Sequence, residues 1–157
     1  MSKKIWAAAV VLICTAAMPA SARINLLDEP SYGTITLSAG FDDDPFTINL
    51  SSGGDNLASE ASSECSGYIA DAPDVRLEYD GGVILPLIIS ANSSADTTLV
   101  INAPDGSWYC DDDSGEGTNP SITFSDPSSG TYDIWVGTYG DGDLHMTTLQ
   151  ISELFSK

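Results

Sequence analysis

The chain has 157 residues, 23 acidic and 5 basic, for a formal net charge of −18. That length suits a single domain with a proper core. So acidic a chain repels nucleic acid and anionic lipid, because its few scattered cations cannot form a basic patch.

Residues 1–22 read as an export signal. Lys3 and Lys4 form a basic start, Ile5 to Met18 an uncharged apolar run, and Pro19-Ala20-Ser21-Ala22 the small-residue pattern that precedes cleavage. Cleavage after Ala22 leaves residues 23–157 as one domain, with Arg23, Arg76 and Lys157 facing all 23 acids. The apolar run is too short for a comfortable membrane span and no later segment approaches one, so a spanning protein is not expected. Cys14 follows Leu12-Ile13, which lacks the small residue that lipoprotein processing requires.

Short apolar or alternating runs then recur between turn signals, a rhythm that indicates an all-β sandwich or barrel. Strands are predicted at about Gly33–Leu37, Phe46–Leu50, Tyr68–Ile69, Val75–Tyr79, Val83–Ala91, Thr97–Asn102, Ser107–Cys110, Ser121–Phe124, Thr131–Thr138 and Met146–Ser152. Asp55 to Glu64 has room for one short helical turn. Ala103-Pro104-Asp105-Gly106 reads as a hairpin turn, and Gly140-Asp141-Gly142-Asp143 as another between the last two strands. Val83 to Ile89 is apolar throughout, as for a central strand, but Pro86 cannot donate to a ladder and implies an edge or bulge. Alternation in Thr131–Tyr139 places Tyr132, Ile134 and Val136 on one face and Trp135 and Tyr139 on the other, so this strand is expected to be covered on both sides.

Cys65 and Cys110 survive processing. In an oxidising compartment an even pair forms one disulfide, and closing a loop of about 46 residues stabilises a fold by roughly 4 kcal/mol on the loop-entropy model. Two buried thiols are the alternative. His145 is the only histidine, too few for a zinc site.

The candidate chemistry centres on Asp111-Asp112-Asp113-Ser114-Gly115-Glu116-Gly117-Thr118-Asn119. Ca²⁺ takes six to eight oxygens from carboxylates, carbonyls and water on a flexible loop. Asp111, Asp112, Asp113, Glu116 and Asn119 supply such oxygens here, and Asp96 could reach them across the hairpin or bond nearby amides. The loop does not match the EF-hand spacing, and a solvated acidic loop explains the same composition. Asp42-Asp43-Asp44 reads as a turn before a strand, and Asp141 and Asp143 as turn residues. Catalysis by a serine or cysteine nucleophile would have to run through His145, and no G-x-S-x-G elbow surrounds any serine. Paired carboxylates for glycoside hydrolysis abound, but short loops leave little material for a cleft. Trp108 and Trp135 could stack on a sugar, though strand tryptophans more often pack in a core. Asn49-Leu50-Ser51 and Asn92-Ser93-Ser94 are formal glycosylation sequons.

From about Cys65 to Leu154 the order of features resembles the bacterial pre-peptidase C-terminal domain. The matching stretches are Asp96-Thr97-Thr98-Leu99-Val100-Ile101 with Pro104-Asp105-Gly106, then Asp111-Asp112-Asp113, then Gly130-Thr131-Tyr132-Asp133-Ile134-Trp135-Val136-Gly137. Phe46 to Gly54 also looks like that family's early strand and glycine turn. The resemblance implies a jelly-roll-like antiparallel β-sandwich, export, and in some members Ca²⁺ binding or adhesion to matrix polymers. By position, Asp96, Asp111, Asp112 and Asp113 are then the residues to test. The family module commonly accompanies a protease, and no protease domain is expected here. The expected function is a non-catalytic exported module that binds an extracellular or envelope polymer or protein with the help of Ca²⁺. The alternatives are a secreted hydrolase acting on an extracellular polymer and an assembly protein of the envelope.

Overall fold

The computed structural model describes residues 23–156; the expected export signal and its expected cleavage site lie outside the described residues. Eleven strands follow one another: β1 (Thr34–Ser38), β2 (Phe46–Ser52), β3 (Asn56–Leu57), β4 (Tyr68–Ile69), β5 (Val75–Asp80), β6 (Leu87–Asn92), β7 (Thr97–Asn102), β8 (Trp108–Asp111), β9 (Ser121–Phe124), β10 (Gly130–Thr138) and β11 (His145–Ser152). A 3-10 turn at Ala58–Glu60 is the short helical element, within the expected window. Among the described residues no helix is long and apolar enough to cross a membrane.

The strands form two sheets. β10 is the spine of the larger one, flanked by β7 on one side and by β5 and then β4 on the other; β1, β3 and β8 pair further out. The smaller sheet runs β2-β11-β6-β9. Pairing is antiparallel except that β1 lies parallel to β5, Thr34 beside Arg76 and Ser38 beside Asp80.

Period-two alternation explains the core. Val75, Leu77 and Tyr79 of β5 point inward with Tyr132, Ile134 and Val136 of β10 and Leu99 and Ile101 of β7. They meet Leu50, Leu87, Ile89, Ala91, Ile122, Leu149 and Ile151 from the other sheet, which makes the molecule a β-sandwich. Each fully buried aliphatic side chain contributes about 1.5–3 kcal/mol relative to exposure. The outer face of the large sheet carries a second cluster, in which Ala58, Cys65, Ile69, Val100 and Trp135 pack with Trp108 and Cys110. Cys65 and Cys110 are joined by a disulfide, with Cα atoms 5.2 Å apart, so the segment from Ala58 to Cys65 is tied down over Trp135. Trp108 and Trp135 pack inside this cluster with ring centroids 5.5 Å apart and planes tilted by 41°, so the core-packing alternative is the one found.

Two local expectations differ from the structure, and one short strand, β3, was not expected. β6 begins at Leu87, and Val83 and Ile84 stand in a loop, 96% and 87% exposed. Pro86, with no amide to donate, marks where the ladder can begin. Gly140 to Asp143 does not close a hairpin: β10 and β11 lie in different sheets, and these residues carry the chain from one to the other. β3 pairs only Asn56–Leu57 with β4, too short to show any periodicity.

Candidate functional site

The acidic loop lies at one end of the sandwich, where the β7–β8 hairpin and the β6–β7 turn meet. Ala103 and Ser107 close the hairpin, the Ala103 amide donating to the Ser107 carbonyl at 2.9 Å, and Asn102 pairs with Trp108. That register sets Asp111 at the far end of β8, opposite Leu99. Asp111 is half-buried and frames the loop. Its carboxylate accepts the Ser114 amide at 3.0 Å, the Ser114 hydroxyl at 2.6 Å and the Ser121 amide at 2.8 Å, so it spans the loop from start to finish.

Asn119 is the second frame residue. Only 5% exposed, it accepts from the Ser93 amide at 3.0 Å and the Thr97 hydroxyl at 2.8 Å. It donates to the carbonyls of Ser93 at 3.1 Å and Glu116 at 3.0 Å. An Asn side chain has two donor hydrogens and a two-lone-pair oxygen, so this one is fully used in joining the acidic loop to the β6–β7 turn. The Thr97 amide adds a bond to the Thr118 carbonyl.

Asp96 sits on that turn and differs from both. One of its carboxylate oxygens, Oδ1, is buried with no hydrogen-bond partner among the described residues. Desolvation pushes the carboxyl above the usual carboxylate range, and repulsion from Asp113 and then Asp112 adds to it. The fold therefore brings Asp96, Asp112 and Asp113 within electrostatic reach of one another, while Asp111 and Asn119 hold the scaffold. Glu116 is exposed and contributes its backbone carbonyl to Asn119. Among the described residues no group of three or more His, Cys, Asp or Glu side chains is already gathered closely enough to hold a metal ion.

His145 opens β11. The neighbouring hydroxyls of Ser52 and Thr147 donate to its backbone carbonyl, not to its imidazole. At the opposite end of the sandwich lies a carboxylate network that sequence reasoning missed. Glu153, buried, accepts the Tyr79 hydroxyl at 2.7 Å and the Gly40 amide at 2.8 Å. Asp44 accepts the Glu153 amide at 2.9 Å and the Ser152 hydroxyl. This network anchors the end of β11 to the turn that leads into β2. The inward position of Tyr79 in an alternating strand was the available signal, since a buried phenol needs a partner.

No model of a known protein family matches the chain, and no curated protein matches it in sequence. Among solved structures, the pre-peptidase C-terminal domain of collagenase from Bacillus anthracis is similar at 13% identity and a TM-score of 0.46, over 80% of this chain and 100% of that one. PliG from Aeromonas hydrophila, a periplasmic lysozyme inhibitor of g-type lysozyme, is similar at 13% identity and a TM-score of 0.35, over 76% of this chain and 96% of that one. At such identity the likeness concerns the fold alone.

Proposed function

We propose that the protein is a non-catalytic, exported binding module whose acidic loop is ordered by Ca²⁺ and whose ligand is an extracellular or envelope polymer or protein. The observation that carries the cation is the Asp96 carboxylate, with a buried oxygen that no group among the described residues satisfies and with Asp113 and Asp112 repelling it. A buried oxygen without a hydrogen-bond partner is costly, and a hard divalent cation supplies the missing partner and offsets the repulsion. Asp112 and Asp113 would close on Asp96 to hold the ion, since the three side chains are not gathered closely enough without it, with Glu116 within the same short loop. Asp111 and Asn119 keep the loop ends in place whether or not the ion is bound.

Export is supported by the leader-like N-terminus and by a disulfide, which persists in oxidising compartments. Calorimetric titration of Ca²⁺ into the protein tests the cation. The reading expects saturable heat that is lost in Asp96→Asn and in the Asp112→Asn/Asp113→Asn pair and is kept in Asp126→Asn, an exposed carboxylate on the β9–β10 connection. Equal heats in all variants would remove the cation from the reading.

A further inference from the structure

At the end of the sandwich opposite the acidic loop, the β5–β6 connection projects an aliphatic tip. Val83 and Ile84 are 96% and 87% exposed, and beside them Ala39, Gly40, Gly82 and Leu85 line an open, almost wholly apolar concavity of about 440 Å³. Burying such side chains on a partner removes apolar surface from water and favours association.

The tip stands on a fixed base. The Gly81 amide donates to the Ser129 hydroxyl at 2.9 Å, the Ala39 amide to the Asp80 carbonyl at 2.8 Å, and the Gly40 amide to Glu153 at 2.8 Å. A Cβ on Gly81 would lie 2.3 Å from the Pro127 carbonyl oxygen, and one on Gly82 2.7 Å from the Ala39 Cβ. The glycines therefore let the loop root pass tightly between its neighbours. The root of the loop is thus already ordered before binding, which spares that part of the ordering cost.

The charge around the tip selects what can reach it. Asp42, Asp43 and Asp126 on the loops at this end and Asp80 at the end of β5 are exposed. The described cations lie elsewhere: Arg23 is at the start of the described chain, and Arg76 is paired with Asp133 at 2.7 Å on the outer face of β5. A second copy brings the same acids, and an anionic bilayer brings like charge, so both are repelled. A cationic protein is attracted from a distance and can then fill the concavity.

We propose that the Val83–Leu85 tip docks a cationic protein segment that places an apolar side chain between basic residues. This names the partner of the binding module proposed above and rests on that reading. It does not rest on the cation, which sits at the far end.

The test uses a short synthetic peptide of alternating lysine and leucine, a lysine–serine control, and the isotopically labelled protein in EDTA. Amide shifts are expected to concentrate at residues 39–43 and 82–85. Affinity is expected to fall about tenfold or more in Val83→Ser/Ile84→Ser, whose thermal midpoint stays near that of the parent because both side chains are exposed. The lysine–serine peptide is expected to bind weakly and not to distinguish the two proteins. Equal affinity of parent and variant, or shifts centred on residues 111–116, overturns the proposal. So does tip-dependent dimerisation on sizing, or tip-dependent binding to phosphatidylglycerol vesicles. Because EDTA is present throughout, such a failure leaves the Ca²⁺ response of the acidic loop standing, and loss of that response leaves the tip standing.

Discussion

The Asp74 carboxylate accepts the Val136 amide at 2.7 Å, on a side chain that is 3% exposed. β10 passes there from its pairing with β5, which ends at Val75–Ile134, to its pairing with β4 at Thr138–Tyr68. No strand supplies an acceptor for Val136 in that gap, and Asp74 fills it. Burial raises the Asp74 carboxyl from 3.8 to about 7, against the opposing pull of the Val136 bond.

A pH dependence follows from the sign of that shift. The folded protein holds a proton that the unfolded chain releases between about pH 3.8 and 7. Asp74 therefore contributes stability that is fully present below the unfolded value and is lost as pH rises through about 7. Asp74→Asn keeps an acceptor for Val136 without the charge. The difference in thermal midpoint, variant minus parent, is expected to grow as pH rises through this window. A difference that is flat with pH contradicts the assignment.

Reduction of the Cys65–Cys110 bridge releases the segment covering Trp135. The expected loss is roughly 4 kcal/mol on the loop-entropy model, measured as a lower urea midpoint with dithiothreitol. Because Trp135 and Trp108 pack against the bridged segment, reduction is also expected to shift tryptophan emission to the red before global unfolding. Unchanged emission and midpoint would show that the bridge constrains nothing.

Asn119→Ala separates framework from ligand. It leaves the Thr97 hydroxyl and the Ser93 amide without their acceptor and is expected to cost about 1–3 kcal/mol, in EDTA as much as in Ca²⁺. Glu116→Gln, on an exposed side chain, is expected to lie within about 0.5 kcal/mol of the parent in EDTA. Chemical denaturation of both variants in EDTA checks the contrast.

The non-catalytic reading predicts no turnover of casein or of a polysaccharide panel by the purified protein. Turnover that disappears in His145→Ala would reverse it in favour of a hydrolase.

Much of the fold was legible because several strands alternate between a buried and a less buried face. Val75-Leu77-Tyr79 and Tyr132-Ile134-Val136 alternate as the structure uses them, and the Pro-Asp-Gly turn lies between β7 and β8 as expected. Partner choice was not legible. The glycine-rich link after Thr138 has the composition of a hairpin turn but crosses between sheets, since turn chemistry states where a chain bends and not which sheet it rejoins. The tip at Val83 was misread for a related reason. An apolar run looks the same whether the core buries it or a loop presents it, and only Pro86 hinted at the break. At the acidic loop, composition identified an oxygen-rich segment. It could not tell Asp111 and Asn119, whose polar atoms bond within the protein, from Asp96, whose Oδ1 does not, because that division depends on the register of β6, β7 and β9.

The central claim is that a cation completes the Asp96 end of the molecule. Thermal unfolding of the oxidised protein beginning at Arg23, in EDTA and in millimolar Ca²⁺ at fixed ionic strength, tests it most directly. Binding to the folded state alone stabilises by about 2.7 kcal/mol at a hundred-fold excess over Kd. The account predicts a rise in midpoint with Ca²⁺ that Mg²⁺ does not reproduce and that Asp96→Asn abolishes. The same midpoint in EDTA and in Ca²⁺ would contradict it and leave the loop a solvated acidic surface.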